Sequence, residues 1–442
     1  MTPKDLETAP VWWSPVARAR ESALRARLEG LGGQGLADAL AAAAASHARD
    51  HDGRALNLNP ATNVMNPAAE RYLASGLATR PSLGAPGEKY EMGLEAAEEI
   101  ETIAGTLARR VFGAAFAETR APSGAVANLM GFLACCRPGD RAIVPPEAIA
   151  GHVTHHTAGA AGLLGLEVHT APVDAERYSV DLPGLAALAE RVRPRLVTLG
   201  GSLNLTHHPL AEVVRIAHGV GARVLFDAAH LSGPIAGGVW PNPLAEGADL
   251  MTMSTYKSLG GPPGGLVLTN DPELAERVDR IAFPGLTANF DLGRVAALGR
   301  ALVDWEAPTG PAYAREMVAA ARTLAAELYR LGAPVFFAGD VATEGHAFAL
   351  DAAEHGGGQA MARHLARARL LASGIGLPAA PVAGDANGLR LGLNEAVRRG
   401  LTADDMGELA ELIVAALAPE PERIAPAVTA FRRRFDDLRF VT

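Results

Sequence analysis

Two stretches decide the fold: Arg223-Val-Leu-Phe-Asp-Ala-Ala-His230 and Leu250-Met-Thr-Met-Ser-Thr-Tyr-Lys257. Each opens on an apolar run of strand length and closes on residues that carry chemistry. Runs such as Val-Leu-Phe fit strands buried on both faces, which belong to parallel sheets covered by helices. Working outward, the pattern alternates. Strands are predicted at Ala115–Thr119, Arg141–Val144, Glu167–Thr170, Arg195–Leu199 and Gly265–Thr269. Helices are predicted between them at Ser123–Cys136, Thr154–Leu164, Leu182–Arg191 and Pro209–Gly219. Strand–helix alternation at this spacing predicts an α/β fold with a mostly parallel sheet.

The flanks read differently. Residues 16–50 have helical spacing interrupted by Gly-Leu-Gly-Gly-Gln-Gly at 30–35. That cluster follows no strand, so it reads as a helix stop and not as a phosphate loop. A long helix is predicted from Leu94 to Phe112. Beyond Leu292 the chain turns helical, with strands predicted at Ala333–Phe337 and Phe348–Leu350 and helices at 359–373 and 403–417. The expected organisation is an N-terminal helical arm (1–55), a large domain (56–300) and a small C-terminal α+β domain (301–442).

Composition excludes several classes. The 442 residues carry 40 Lys+Arg against 49 Asp+Glu, a formal charge of −9, with 49% hydrophobic and 20% charged residues. Such a chain is not intrinsically disordered. Its acidic balance makes nucleic acid or an anionic membrane a poor partner. No apolar run reaches the ~18 residues that span a bilayer. The N-terminus lacks a basic-then-apolar signal pattern, so a cytoplasmic location is expected. The two cysteines, Cys135 and Cys136, are adjacent and read as small buried hydrophobes. The basic run at 431–435 reads as a solvated helix face.

In open α/β sheets, ligands sit beyond the carboxyl ends of the strands. Ser123-Gly124, Ser202, Asp227, His230 and Thr255-Tyr256-Lys257 all follow predicted strands. A lysine beside a sheet interior is costly unless its charge is shifted or it is bonded as a Schiff base. An aspartate thirty residues earlier can keep a pyridinium nitrogen protonated. Lysine and aspartate together are the protein's half of pyridoxal 5'-phosphate chemistry. Ser123-Gly124-Ala125 at a helix N-terminus offers backbone N–H groups to a phosphate. His152, His155 and His156 lack the spacing and carboxylate partner of a metal site, so no metal is expected.

Several motifs now point to one family. They are Ala121-Pro-Ser-Gly-Ala-Val-Ala-Asn128, Gly151-His-Val-Thr-His155, Leu225-Phe-Asp-Ala-Ala-His-Leu-Ser-Gly233, Trp240-Pro-Asn-Pro243 and Met253-Ser-Thr-Tyr-Lys-Ser-Leu-Gly-Gly-Pro-Pro-Gly-Gly265. In this order the chain resembles the serine hydroxymethyltransferases from about residue 56 to 417. The resemblance implies a fold-type I pyridoxal-phosphate enzyme. It would have a mostly parallel seven-stranded sheet and a homodimer with shared active sites. It implies that Lys257 forms the Schiff base, Asp227 partners the pyridine nitrogen and His230 lies beside the phenolic oxygen. His152 would stack on the ring, and Ser123, Gly124 and Ala125 would hold the phosphate. Ser202 and Thr255 would contact or flank the cofactor, and Arg390 would grip the substrate carboxylate, which suits a guanidinium fork.

The departures from the family are informative. The glutamate associated with folate-dependent transfer is Leu83, in Pro81-Ser-Leu-Gly-Ala-Pro-Gly87. Glu91 replaces the second of two tyrosines, Tyr256 a histidine, Pro263 an arginine and Ala61 a serine. Without the acid, folate chemistry loses its proton-handling group. The expected reaction is therefore folate-independent aldol cleavage, or aldehyde transfer, at Cα–Cβ of a β-hydroxy amino acid. His155, His230 and Glu91 are candidate acid–base groups near the substrate, with a solvated surface glutamate as the alternative for Glu91. His207 and His208 line the pocket or occupy a surface turn. Racemisation, transamination and decarboxylation share the same starting chemistry and stay open. So does a catalytically silent pyridoxal-phosphate-binding protein.

Overall fold

The computed structural model describes residues 10–80 and 82–442. The first nine residues and Pro81 lie outside the described residues. The chain divides into two compact units, Met1–Ala55 and Leu56–Thr442. In the first, helices Pro15–Leu28 and Gly33–His47 flank a break at Glu29–Gly32. The predicted glycine stop is thus shorter than expected, because Gly33 and Gly35 already belong to the second helix.

The second unit is built on seven strands. They are β1 (Phe116–Glu118), β2 (Arg141–Val144), β3 (Glu167–Thr170), β4 (Leu196–Leu199), β5 (Arg223–Asp227), β6 (Leu250–Ser254) and β7 (Gly265–Thr269). Their order across the sheet is β1-β7-β6-β5-β4-β2-β3. Only β7 runs against its neighbours. The fold class is therefore the α/β arrangement expected from the sequence.

Alternate residues of each central strand enter two different cores. Leu225, Leu250 and Val267 pack with helix Gly124–Cys135 on one face. Val224, Phe226, Met251, Leu266 and Leu268 join the larger core on the other. This is why these strands read as mostly apolar runs: both faces are covered. Full burial of each such side chain is worth about 1.5–3 kcal/mol. The flanking helices show the complementary period. In Leu210–Gly219, Leu210, Val213, Val214 and Ala217 are the buried residues, the i, i+3, i+4, i+7 stripe of an amphipathic helix. Cys135 and Cys136 are buried free thiols. Burial pushes both thiols up, Cys136 to about 12, which suits their reading as small hydrophobes.

A three-stranded antiparallel sheet follows: β8 (Ala347–Asp351), β9 (Ser373–Ile375) and β10 (Gly388–Gly392), with β10 central. Its register places Arg390 opposite both Ala349 and Ser373. Among the described residues, no helix is long and apolar enough to cross a membrane.

Four local expectations are corrected. Ala333–Phe337 forms no strand, only an isolated bridge from Val335 to Leu350, because Pro334 has no N–H to give a ladder. The helix expected at 154–164 splits into a 3-10 turn, Val153–His155, and helix Ala160–Leu164. The helix expected at 359–373 stops at Arg367, and Arg369 takes a positive φ of 66° before two short strands. In the basic run at 431–435, Phe431 and Arg432 are buried, and Arg432 donates to the Phe435 carbonyl and to Asp436.

Candidate active site

The carboxyl ends of β1, β2, β4, β5 and β6 open on the same edge of the sheet. The turns that leave them meet there. They wall a cavity of about 160 Å³ lined by Ser123, Gly124, Ala125, Asn128, His152, Gly201, Ser202, Asp227, Ala229, His230, Ser254, Tyr256 and Lys257. Backbone geometry brings these turns close. Gly124 opens its helix against β6, and a Cβ there would lie 2.1 Å from Ser254 Oγ. Gly200, with φ +87°, turns the chain out of β4, and a Cβ there would lie 2.2 Å from the Asp227 carbonyl. Only glycine fits either position.

At one side Ser123 caps the helix Gly124–Cys135, its hydroxyl accepting from Val126 N at 3.2 Å. The free N–H groups of that first turn and the positive end of the helix suit an anion. At the other side stands Asp227, the last residue of β5 and 3% exposed. Its Oδ2 accepts from Asn128 Nδ2 at 2.8 Å and His155 Nε2 at 2.9 Å, and its Oδ1 accepts from Ala229 N at 2.9 Å. Burial alone would raise this carboxyl. The His155 bond and charge, the Asn128 amide and Lys257 outweigh it and hold the group well below the usual carboxylate range.

Lys257 is 6% exposed, and its Nζ lies 3.1 Å from His230 Nε2. Burial lowers its ammonium to about 8; Asp227 opposes this shift and Arg390 reinforces it. At neutral pH roughly one such lysine in ten is the nucleophilic free amine, against under one in a thousand for an ordinary lysine. Burial, with Lys257 and Arg390 nearby, keeps His230 well below its usual range. Burial also lowers His152 to about 4, against the opposing pull of Asp227. Both imidazoles are neutral at physiological pH.

Arg390 reaches this group from β10. Its Nε donates to Ser373 Oγ at 2.9 Å and its Nη1 to the Ser202 carbonyl at 2.6 Å, with His230 Nε2 at 3.4 Å. No carboxylate pairs with it among the described residues. A fixed guanidinium without a counter-ion is a ready receptor for a carboxylate. A second, wider cavity shares His152 and Ser202 with the first and runs out along Glu147–Val153 and residues 374–387.

The structure thus gathers Ser123, Gly124, Ala125, His152, Ser202, Asp227, His230 and Lys257 at one cavity, with Arg390 against its wall. Three expected residues stand elsewhere. Thr255 is fully buried and donates to the Pro262 carbonyl at 2.6 Å, so it shapes the lysine turn without facing the cavity. His155 is not at the substrate position expected for it. It is buried behind Asp227, with Thr198 Oγ1 on its other nitrogen at 3.0 Å. Glu91 does not line the cavity; it accepts from Leu83 N at 3.4 Å within its own loop. His208 is bonded to Ser179 and Asn204, and His207 packs edge-on against Trp240 at 4.5 Å. Neither lines the cavity. Asn128 and Ser254 also line the cavity, and within their apolar stretches neither carries a sequence signal of its own.

Comparison with known proteins gives a concordant picture. The family model for serine hydroxymethyltransferase matches residues 37–413. An alpha-methylserine aldolase of Variovorax paradoxus is 59% identical over 393 residues, 89% of each chain. One from a Ralstonia species is 51% identical over 393 residues, 88% of this chain and 90% of that protein. A serine hydroxymethyltransferase of Methanopyrus kandleri is 38% identical over 382 residues, 86% of this chain and 89% of that protein.

Proposed function

Because the chain belongs to the serine hydroxymethyltransferase family, we propose that it is a pyridoxal 5'-phosphate-dependent aldolase. It cleaves Cα–Cβ of a β-hydroxy amino acid without folate, and its substrate carries an α-methyl group. The observation that carries this reading is Lys257: a buried lysine whose ammonium is lowered to about 8, in one cavity with an ionised carboxylate and a helix N-terminus. That donor set fits the cofactor group by group. Lysine suits the aldehyde, Asp227 the ring nitrogen, and Ser123-Gly124-Ala125 the phosphate. Gly124 lets the helix start close against Ser254, which sets its first-turn N–H groups at the cavity edge.

When bound, pyridoxal phosphate supplies an electron sink for the pair left on Cα. The chain's own residues do the rest. Asp227, ionised and held by three donors, keeps a proton at the ring-nitrogen position. Arg390 binds the substrate carboxylate and so fixes which Cα bond is exposed to cleavage. His230 Nε2 and the Lys257 amine are the proton-accepting groups at the cavity. Leu83 stands where the family carries its glutamate, and no other acid of that loop lines the cavity. A homodimer with shared active sites, as in the family, is the assembly this reading carries. The close similarity to proteins named alpha-methylserine aldolase supports the substrate.

An α-methyl substrate discriminates the competing reactions, since it has no Cα hydrogen to exchange. Incubated with α-methylserine, the cofactor-loaded protein is expected to release formaldehyde and alanine in equal amounts, with product assay by chromatography. Carbon dioxide in place of formaldehyde would indicate decarboxylation. Inertness toward α-methylserine and other β-hydroxy amino acids, with solvent deuterium entering Cα of alanine, would indicate a racemase.

A further inference from the structure

Two histidines border the cavity, and the bonds around them set opposite tautomers. The logic begins at Asp227. An ionised carboxylate only accepts, so the Asn128 side chain must turn its NH2 group toward it. One N–H goes to Asp227 Oδ2 at 2.8 Å and the other to Thr154 Oγ1 at 2.9 Å. The amide oxygen accepts from Thr252 Oγ1 at 2.6 Å, which fixes the same orientation from the opposite side. Thr154 Oγ1 is therefore an acceptor toward Asn128. Its own proton is left for His152 Nδ1, 2.8 Å away, and Thr154 N donates to that nitrogen at 3.3 Å. His152 Nδ1 thus accepts twice. Asn128 and Thr154 are 3% and 6% exposed, so water does not compete for these bonds.

His230 is held the other way. Arg390 Nη1 and Lys257 Nζ both face its Nε2, and a guanidinium has no acceptor. The ring proton then lies on Nδ1, a buried atom without a partner among the described residues.

We infer that Asn128 is a positioning residue: through Thr154 it fixes the proton of neutral His152 on Nε2, so that His152 offers the cavity a donor while His230 turns its lone pair to Lys257 and Arg390. As a matter of role this rests on the cavity being the active site. It makes His152 a hydrogen-bond donor to bound ligand and leaves the acceptance of a substrate proton to His230 and Lys257. It also ties the state of Asp227, at one end of the cavity, to that of His152, through a single amide.

The test is nitrogen NMR of the full-length, cofactor-loaded protein labelled with 15N in its imidazole rings. The His152 pair of signals is assigned by its loss in His152→Gln. In the wild type, Nδ1 is expected to appear as an unprotonated nitrogen and Nε2 as a protonated one. In Asn128→Ala and in Thr154→Val the two signals should move toward each other as both tautomers become populated. Thr154→Ser, which keeps the hydroxyl, should restore the wild-type pattern. A wild-type His152 protonated at Nδ1 would overturn the inference, even if Asn128→Ala fails to fold. So would signals unchanged in Thr154→Val. The readout does not depend on aldehyde release, so failure of the aldolase reading would be seen separately.

Discussion

Replacing Lys257 with alanine is expected to remove the visible absorption of the lysine-bound cofactor and to lower aldehyde release on the order of 10³-fold. Two contributions are lost together. The buried amine is the covalent anchor, and it is one of two proton acceptors at the cavity wall. The fold should survive, because alanine removes a costly buried ammonium and leaves the backbone of the turn in place. Wild-type uptake of the cofactor should rise about tenfold per pH unit below pH 8 and level off above it. The sign follows from burial: the ammonium form is disfavoured, Lys257 titrates at about 8, and only the neutral amine attacks. Absorbance spectra before and after borohydride reduction check both statements. A Lys257→Ala protein that kept the reducible chromophore would show that another lysine carries it.

Arg390→Ala is expected to lower kcat/KM roughly a hundredfold, equivalent to about 3 kcal/mol of lost carboxylate binding. The loss should be shared between KM, through the carboxylate contact, and kcat, through the bond orientation that this contact sets. The guanidinium is held on one side by Ser373 and on another by the Ser202 carbonyl, so its remaining N–H groups already point in fixed directions. Arg390→Lys keeps the charge and loses the fork, and should recover only part of the loss. Steady-state kinetics with the amino acid and with its amide separate the cases. An amide substrate, which lacks the carboxylate charge, should be turned over equally poorly by wild type and variant.

The sequence told most about the centre of the sheet. Residues 223–227, 250–254 and 265–269 are legible because burial on both faces makes them mostly apolar, with Thr252 the one polar residue inside a run. Asp227, Lys257 and Ser123 were legible for the same reason in reverse: a polar residue just after such a run stands at the ligand edge. The misreadings share a physical cause. Side-chain direction and partnership depend on tertiary contacts that local spacing does not encode. The sequence places His155 near the site, but only the three-dimensional path of the 152–156 turn aims it at Asp227. Asn128 lies within an apolar helix whose periodicity gives no hint of its four polar neighbours. Arg432 looked solvated because the run around it is basic, and the Phe431 and Phe435 rings that enclose that turn contact each other only in the fold.

The most direct test of the central claim is the initial rate of formaldehyde release from α-methylserine by the purified, pyridoxal-phosphate-loaded protein, measured with and without tetrahydrofolate. Leu83 in place of the family's acid leads to equal rates in the two conditions. Release that occurs only when tetrahydrofolate is present would contradict the folate-independent aldolase.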